Sequence, residues 1–586
     1  MWRHQGSVPQ LPIPELESTV AKYLVSVRPL VSDEQFEATA KKAAYFLVNG
    51  DGKKLQERLL RRAAEKKGSS WLIDWWNDRA YLTDREPVVF FVSYFYLLKH
   101  APLPLPHGQL LSASALVRTV CRFRDQVVSG SLQPDMIRNA PQCMAVYSFL
   151  FHTCRIPGSH CDVVASYQPE HNTHIVVARQ GHLFKLELGS LQGLGDILEA
   201  LGRIVEEADA AGEAEVPVGS LTSGERDVWA KCRTSLMEDK SNRASLEAIE
   251  SSMFLVCLDH LEEAGVVSRS RQMWHGDGKN RWYDKTLQFV VLPCGQVGFL
   301  GEHAISDGAP TLRLCEFVGA NMAREVSAGE SKGRGSKLEL SRLGFNLSRS
   351  VVEAHAQIRA QFVKLVESHE ASHLVLSGMG RDGIKALKMP PDAFVQLAIQ
   401  LAFFRMHGRV TATYEACSTR RFLHGRTETI RSCSLEGKRF VEAMASGLDH
   451  RTQYNYLQAA VRKHQQTSNE CSNARGVDRH LLGLRLSLHE GEAMPELFSD
   501  PSFATSSSWE LSTSHLFSEH LQSWGFGQVV PHGFGVGYSI NRAESVFFIT
   551  CQKQAADRSS LLSREIQRSV QDMQKLCNLY RGISNL

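Results

Sequence analysis

The sequence contains no apolar run long enough to cross a membrane, for which about 18 to 20 consecutive apolar residues are needed. The longest candidate, residues 88–98 (VVFFVSYFYLL), is shorter and is typical of a buried core segment. The first residues, MWRHQGSVPQ, resemble neither a secretory signal nor an Arg-rich presequence, and the final Ser-Asn-Leu differs from the peroxisomal Ser-Lys-Leu signal. These absences favour a cytoplasmic protein without a transmembrane segment.

The cysteines lack the spacing that binds zinc or builds a disulfide framework. All thirteen are scattered, their number is odd, and no two follow the Cys-x-x-Cys pattern. Zinc sites and disulfide-rich secreted domains both need regular cysteine spacing. The sequence therefore predicts reduced thiols in a cytosol-like compartment and no metal site.

The chain also lacks an excess of charge of one sign. Its formal net charge is +3, from 66 Lys and Arg against 63 Asp and Glu. Nothing in that balance calls for nucleic acid, although a local basic patch can still bind a phosphate ligand. The 586 residues are 43% hydrophobic, an ordinary globular composition, and they exceed what one hydrophobic core usually holds. We therefore expect two domains or two large lobes.

Helical and strand-like patterns alternate along the chain. Residues 16–65 carry charged and apolar residues at three- and four-residue spacing, and a proline pair precedes a second helical pattern over 392–405. The C-terminal 30 residues are also predicted to be helical. Short β-rich runs predict strands at 174–178, 287–292, 297–300, 534–540 and 546–551, and a Pro-Cys-Gly-Gln turn joins the second and third of them.

A polar segment separates the two halves of the chain. Residues 327–337 (SAGESKGRGSK) are typical of a linker or an exposed loop. We place a boundary near residue 345, which gives an N-terminal lobe of 1–345 and a C-terminal lobe of 346–586. Because strands and helices are interleaved, the predicted fold class is α/β.

The most informative local motif is at residues 301–308 (GEHAISDG), directly after the second strand of the predicted hairpin. A histidine there can present an imidazole nitrogen to a cavity at the end of the sheet, and Asp307 is near enough in sequence to orient the ring of His303. Histidine is the side chain whose ordinary pKa suits proton abstraction from a hydroxyl near neutral pH. Taken alone, the motif also fits a structural histidine near a turn.

The pattern His-x-x-x-Asp-Gly resembles that of CoA-dependent acyltransferases, and its surroundings resemble the carnitine/choline acyltransferase family. Many short matches in the same order extend this resemblance almost from end to end. The matching segments are 11–14 (LPIP), 71–72 (WL), 75–76 (WW), 80–82 (AYL), 221–222 (LT), Arg226, 229–230 (WA), 280–285 (NRWYDK), 298–308 (GFLGEHAISDG), 391–394 (PDAF), 425–427 (GRT), 478–481 (DRHL) and 511–514 (LSTS).

For the fold, the resemblance implies two similar α/β lobes, each with a mixed sheet flanked by helices. An active-site tunnel would lie between the lobes, with His303 at its middle as general base. CoA would enter from one side of the tunnel and the amino-alcohol from the other.

A Gly-x-Gly-x-x-Gly sequence at 378–383 follows a strand-like run. It does not fit a dinucleotide-binding turn, because a proline pair interrupts the required helix within seven residues. The same stretch carries Arg381, Lys385 and Lys388, whose spacing gathers them on a helical segment. By composition alone they fit a solvated basic loop. The family resemblance implies instead that they bind the 3′-phosphate of CoA, with Arg381 in place of the usual Lys, and that Asp392 also contacts CoA.

The resemblance also implies a site for the carboxylate of carnitine. Tyr414, Thr427 and Arg479 match the family positions that hold this group. The motif at 425–429 (GRTET) is of the carnitine kind, whereas choline has no carboxylate to bind. Seen in isolation, Arg479 fits a buried ion pair with its neighbour Asp478.

Four further residues complete the substrate site that the resemblance implies. Ser514 matches the hydroxyl that donates to the tetrahedral oxyanion. Phe526 matches an aromatic ring near the trimethylammonium group, and Tyr81 and Ser512 match other substrate-binding positions. Without the resemblance, a Ser-Thr-Ser sequence is most often a turn and a Phe most often packs in a core.

Acyl-chain length is expected to depend on Trp524. Family members that use long chains have Gly at this position, so the resemblance implies that Trp524 closes the acyl channel by steric overlap and selects acetyl. The alternative is a Trp that packs in the core. Two departures from the family pattern, His532 where Asp is common and Pro390 where Ser is usual, leave the reacting groups intact.

The predicted function is reversible transfer of a short acyl group, acetyl above all, between CoA and carnitine by direct attack, with His303 as general base. Acetyl-CoA and carnitine are the expected small-molecule partners, CoA being a co-substrate rather than a bound cofactor. We expect a monomer that binds no metal and no nucleic acid. The alternatives are a longer-chain or choline acyltransferase of the same family, or a homologue that binds acyl-CoA without turnover.

Overall fold

The structure, a computed structural model, describes residues 1–48, 50–99, 108–189, 193–261, 263–328, 337–554 and 557–580. Most of the polar segment at 327–337 lies outside these ranges, and so do the last six residues of the chain. Ser327 and Ala328 end a helix rather than begin a loop. The rest of the linker stays a prediction.

The helical predictions are confirmed: residues 16–65 form three helices, one helix begins at Pro391, and another spans the described C-terminal residues. The helices of the described residues are α1 (Leu16–Val27), α2 (Asp33–Val48), α3 (Asp51–Glu65), α4 (Ile73–Asn77), α5 (Val88–Phe91), α6 (Gly108–Val128), α7 (Leu194–Ala211), α8 (Arg226–Leu236), α9 (Lys240–Ser251), α10 (Val266–Trp274), α11 (Gly308–Ala328), α12 (Arg349–Ser368), α13 (Arg381–Ala386), α14 (Pro391–His407), α15 (Leu435–Ser446), α16 (His450–Ser472), α17 (Asp478–Leu486), α18 (Pro501–Ser507) and α19 (Arg558–Tyr580).

The five strand predictions are confirmed as well. The strands of the described residues are β1 (Tyr94–Leu98), β2 (Met136–Ile137), β3 (Ala140–Pro141), β4 (Thr153–Ile156), β5 (Val163–Ser166), β6 (His174–Arg179), β7 (His182–Glu187), β8 (Leu255–Leu258), β9 (Leu287–Val291), β10 (Val297–Gly301), β11 (Leu340–Arg342), β12 (His369–Ser377), β13 (Thr413–Ser418), β14 (Thr427–Arg431), β15 (Leu511–His515), β16 (Leu521–Phe526), β17 (Phe534–Ile540) and β18 (Glu544–Gln552).

Two large mixed sheets organise the chain. The first has the strand order β11-β7-β6-β8-β9-β10-β1-β16, and the second has the order β12-β18-β17-β15-β13-β14. Within the first sheet β8 runs parallel to both β6 and β9, and β10 returns antiparallel to β9 as the predicted hairpin. In the second sheet β15 runs parallel to β13 and β17. The predicted α/β class with mixed sheets flanked by helices is confirmed.

Apolar side chains fill three layers around these sheets. One core cluster lies between the first sheet and helices α6, α7 and α11, and another covers its opposite face under α8, α9, α10 and α12. A third cluster packs the second sheet against α14, α15, α16 and α19. Burial of these faces is the main term that holds the elements together.

Strand β16 connects the two sheets. It pairs with β1 at the edge of the first sheet and packs against β17 and β18 of the second. This close approach depends on glycine at Gly537, where an added Cβ would lie 2.8 Å from the carbonyl oxygen of Trp524. A strand from the C-terminal half therefore completes the N-terminal sheet.

The N-terminal helices pack on the other half of the chain. Leu16, Leu55 and Trp71 share a core cluster with Leu481 and Phe498, which come from the C-terminal half. The division at residue 345 follows the sheets over most of their strands, but both this segment and β16 cross it. As a statement about domains, the division into 1–345 and 346–586 stays a prediction.

Eleven of the thirteen cysteines are buried, and these eleven are free thiols. Among the described residues, no helix is both long enough and apolar enough to span a bilayer.

Candidate active site

His303 lies two residues after β10, between that strand and the start of α11 at Gly308. Its Nδ1 is 3.8 Å from Oδ1 of Asp307, close enough for electrostatic attraction but longer than a hydrogen bond. The strand before it ends in Gly301, where an added Cβ would come within 2.7 Å of the Tyr94 ring. The tight packing at this strand end fixes where the imidazole can lie.

Two tyrosine rings enclose the imidazole of His303. Tyr81 stacks on it with ring centroids 5.0 Å apart and an interplanar angle of 23°, and Tyr94 meets it edge-on, also at 5.0 Å. Tyr81 belongs to a π-helical turn, Asp78–Leu82, whereas Tyr94 begins β1. The ring is therefore held from two separate segments of the chain.

Arg426 binds the loop that carries His303. Its guanidinium donates to both carboxylate oxygens of Asp307, at 3.0 and 3.1 Å. It also donates to the backbone carbonyl oxygens of His303 and Ala304, each at 2.8 Å. Only glycine fits before it at Gly425, because an added Cβ would lie 1.9 Å from a carbonyl oxygen.

Burial, more than the surrounding charges, keeps the imidazole of His303 neutral near pH 7. Burial lowers its pKa below the ordinary 6.5; Asp307 opposes this shift, and the positive charge of Arg426 adds to it. Burial would raise the pKa of Asp307, but Arg426, His303 and Arg479 more than offset that effect and lower it. A neutral imidazole beside an ionised carboxylate can accept a proton and is stabilised once charged.

The three residues predicted to hold a carboxylate lie together. Nη2 of the Arg479 guanidinium contacts the Tyr414 hydroxyl at 3.3 Å and Thr427 Oγ1 at 3.1 Å. Arg479 does not pair with its neighbour Asp478, which instead binds Arg431 at 2.8 Å. Pairing with Asp478 is therefore wrong as an explanation of Arg479, although the charge of Glu428 acts on its guanidinium.

An aromatic path connects the Arg479 cluster to His303. The Arg479 guanidinium lies 3.6 Å from the ring centroid of Trp76, and Trp76 meets Tyr81 edge-on at 6.1 Å. The charges of both Arg479 and Asp307 act on the Tyr81 hydroxyl. Because Tyr81 also stacks on His303, the predicted carboxylate site and the predicted base border one region.

Ser512 and Ser514 occupy alternate positions on β15, so their side chains point to the same face of the second sheet. Tyr414 is the register partner of Ser512 and points to that face as well. The intervening Thr513 faces the helical layer and accepts a hydrogen bond from Gln396 at 2.9 Å. Ser512 is buried and Ser514 is half-buried.

Trp524 and Phe526, on β16, lie on the same face of the first sheet as Tyr94 and Tyr96, on β1. Their register partners on β1 are Tyr96 and Tyr94, respectively. Trp524 is only 4% exposed, and its indole N–H donates to the Ser539 hydroxyl at 3.1 Å. Burial in a core cluster agrees with both explanations of this residue, channel closure and core packing.

The basic triplet lies on and just after α13. Arg381, Lys385 and Lys388 are all exposed. Helix α13 has six residues, too few for a dinucleotide-binding unit, as predicted. Arg381 lies 3.6 Å from the carboxylate of Asp382, and Arg542 binds the same carboxylate at 3.0 Å. The positive charges of the triplet and Arg542 exceed the single negative charge of Asp382, so cations remain that can bind a phosphate.

Asp392, at the start of α14, is partly exposed and belongs to a polar cluster whose other members, Glu415 and His464, are buried. It accepts a hydrogen bond from the Tyr538 hydroxyl at 2.7 Å. Burial raises the pKa of its neighbour Glu415 to about 7, and His464 bonds Glu415 at 2.7 Å. Asp392, Glu415 and His464 are the one group among the described residues that could hold a metal ion. Both the absence of a metal and the contact of Asp392 with CoA stay predictions.

Sequence reasoning did not assign a role to Arg426 or to the ring of Tyr94. Arg426 stands inside the GRTET motif, but no local pattern connects it to Asp307, 119 residues away. Tyr94 belongs to an apolar run that is typical of core. Both contacts arise from tertiary packing.

Comparison with known proteins identifies the family of the chain. The family model described as choline/carnitine O-acyltransferase matches residues 11–568. Carnitine O-acetyltransferase of Saccharomyces cerevisiae is 35% identical over 92% of this chain and 82% of its own length. The Homo sapiens carnitine O-acetyltransferase is 33% identical over 98% and 94%. Carnitine O-palmitoyltransferase 2 of Xenopus tropicalis is also 33% identical, over 92% and 87%. The chain belongs to the choline/carnitine O-acyltransferase family.

Proposed function

We propose that this CoA-dependent O-acyltransferase moves a short acyl group, acetyl above all, reversibly between CoA and the hydroxyl of carnitine. The observation that carries the proposal is the buried Arg479 guanidinium with the hydroxyls of Tyr414 and Thr427 beside it. A carboxylate-bearing acceptor matches this set of donors, whereas choline has no carboxylate for the arginine to bind. The names of the acetyltransferase relatives agree with this acceptor.

His303 would act as the general base. It takes the proton of the carnitine hydroxyl, and the alkoxide attacks the thioester carbonyl of acyl-CoA. The tetrahedral oxyanion collapses with cleavage of the C–S bond, and the proton passes from His303 to the CoA sulfur. In the reverse direction His303 deprotonates CoA. The lowered pKa of His303 supports this role, since the imidazole is neutral and ready to accept a proton near pH 7.

Ser514 would donate to the oxyanion, and the triplet of Arg381, Lys385 and Lys388 would bind the 3′-phosphate of CoA. The half-buried position of Ser514 on the face shared with Tyr414 supports the first role. The exposure of all three cations supports the second. Donors placed in advance at a developing oxyanion are worth about 3 to 4 kcal/mol at the barrier.

A long-chain acyl preference is the second candidate, because palmitoyltransferases are related to this chain about as closely as acetyltransferases are. The bulk of Trp524 favours acetyl. Turnover with carnitine and a series of acyl-CoA thioesters from C2 to C16, with choline as the alternative acceptor, tests the proposal through the thiol that is released. Activity with choline but not carnitine, or with C16 but not C2, would contradict it, and no turnover at all would point to a non-catalytic acyl-CoA binder.

A cytosolic location is part of the proposal. The free thiols are consistent with a reducing compartment, which the mitochondrial matrix also provides. The yeast relative carries the word mitochondrial in its name. Fractionation of cells that express the chain distinguishes the two compartments.

A further inference from the structure

A second arginine, Arg155 on β4, binds beside the His303 loop through Glu302. Its side chain is 0% exposed. Nη1 donates to the carboxylate of Glu302 at 3.1 Å, and Nη2 donates to the backbone carbonyl of Tyr81 at 2.8 Å. One guanidinium therefore connects Glu302, which precedes His303, to Tyr81, whose ring stacks on His303.

Glu302 in turn binds the backbone of the loop that carries His303. Each of its two carboxylate oxygens lies 3.1 Å from the backbone N–H of Ala304, which donates to them. The carbonyl of Ala304 is bound by Arg426 on the other side. The peptide groups that flank His303 are thus held by two carboxylate–arginine pairs, Glu302 with Arg155 and Asp307 with Arg426.

The Nε donor of Arg155 anchors it in a charge network that is buried apart from Arg85. Nε donates to Asp162 at 2.6 Å, and the same carboxylate binds Arg226 at 2.6 Å and Arg85 at 3.0 Å. The side chains of Asp162 and Arg226 are 0% exposed. Arg226 belongs to this network but, among the described residues, no hydrogen bond joins it to Glu302 or Tyr81.

Buried ion pairs of this kind add little stability beyond what an apolar pair of the same volume would add, because both charges must be removed from water. An apolar pair could not, however, bind a backbone N–H and a backbone carbonyl. Glu302 and Arg155 make both of these contacts, to the Ala304 N–H and to the Tyr81 carbonyl. Both backbone groups belong to residues next to the imidazole. Positioning of the His303 loop therefore explains the buried charges of Arg155 and Glu302 better than a contribution to stability does.

We propose that Arg155 and Glu302 are positioning residues for the imidazole of His303, acting through the Ala304 N–H on one side and the Tyr81 ring on the other. The inference rests on the proposed function, in which His303 is the base. Neither residue touches a reacting atom. They limit the movement of a ring that must meet a hydroxyl within hydrogen-bond distance.

Arg155→Met and Arg226→Met form the test pair. Both remove an equally buried guanidinium that binds Asp162, but only Arg155 contacts the His303 loop. We expect Arg155→Met to lower kcat by about 10²-fold, the scale of a small misplacement of a reacting group, with KM for carnitine and acyl-CoA nearly unchanged. Arg226→Met should lose thermal stability to a similar degree and keep kcat. Equal kcat in the two folded variants would overturn the inference.

Glu302 supplies a second pair in case Arg155→Met does not fold. Glu302→Gln keeps an oxygen that accepts from Ala304, whereas Glu302→Ala removes it. We expect Glu302→Gln to retain most of the kcat and Glu302→Ala to lose it. Equal loss in both variants, or loss in neither, would contradict positioning through the Ala304 N–H.

Failure of the proposed function can be told apart from failure of this inference. If wild type turns over and His303→Ala does not, while Arg155→Met matches Arg226→Met, only the inference fails. If wild type has no turnover, NMR titration of the His303 ring decides. A loosened loop admits water and so raises the depressed pKa of His303 toward 6.5. That shift is expected in Arg155→Met alone, and its absence there would overturn the inference.

Discussion

Arg426 binds both carboxylate oxygens of Asp307, at 3.0 and 3.1 Å, across 119 residues of sequence. The pair sets the electrostatics of the imidazole beside it. The arginine keeps the carboxylate ionised, and its own charge helps keep His303 neutral. The same guanidinium binds the loop backbone, so charge and geometry at the base depend on one side chain.

The pH profile should report this arrangement. His303 accepts a proton only when it is neutral, so kcat/KM for acyl-CoA and carnitine should be constant near pH 7. It should fall on acidification, with an apparent pKa below 6.5. Arg426→Gln removes a positive charge and leaves Asp307 unpaired, and both changes raise the pKa of His303. The acid limb should therefore move to higher pH in this variant. A limb that does not move would contradict the role of Arg426.

Replacement of the base should abolish turnover without loss of binding. We expect His303→Ala to lower kcat by about 10²- to 10⁴-fold, the usual scale for general acid–base catalysis. Calorimetry should show that CoA still binds. His373→Ala removes another half-buried histidine, on β12, and serves as the control for folding. Near-normal turnover in folded His303→Ala would end the proposed mechanism.

The two substrates should respond to different arginines. Arg479→Ala should raise KM for carnitine far more than KM for acetyl-CoA, because the variant lacks the guanidinium that binds the carboxylate of carnitine. Arg381→Ala with Lys385→Ala should do the opposite and should discriminate less between CoA and 3′-dephospho-CoA.

Arg349→Ala with Lys364→Ala, two exposed cations on α12, is the matched control for the double variant. It changes the net charge equally and should leave both KM values unaltered. If Arg479→Ala and the Arg381/Lys385 variant weaken the same substrate, the division of the site into a carnitine side and a CoA side is wrong.

Chain length should depend on Trp524. If the indole closes the acyl channel, Trp524→Gly should gain octanoyl or longer transfer, since each methylene admitted to an apolar channel contributes up to about 0.8 kcal/mol. If Trp524 only packs in the core, the same change should cost about 3–5 kcal/mol of unfolding free energy and leave the chain-length profile as it was. Rates with C2 to C16 thioesters, measured beside thermal melting, separate the two explanations. A wild-type preference for palmitoyl-CoA would refute channel closure outright.

Much of the fold follows from local pattern. The helical periodicity over 16–65, the proline pair before α14 and the turn between β9 and β10 each act within a few residues of sequence, so the elements form where they were predicted. The motif around His303 and the order of the family matches also lie in the sequence itself. They were sufficient to propose the base, the carboxylate-binding residues and the phosphate-binding residues.

The tertiary structure alone decided which groups meet. Periodicity does not show that β16 leaves its own half to complete the first sheet, or that Trp71 packs beside Leu481. Nor does it connect Arg426 to Asp307, or Arg155 to Glu302 and Tyr81. Each of these contacts depends on burial of surfaces far apart in the chain. The sequence by itself determined the elements and the reacting residue types, because short-range sterics and hydrogen bonding set them. Long-range packing determined their partners, because a buried guanidinium binds whichever carboxylates and carbonyls the folded core brings to it.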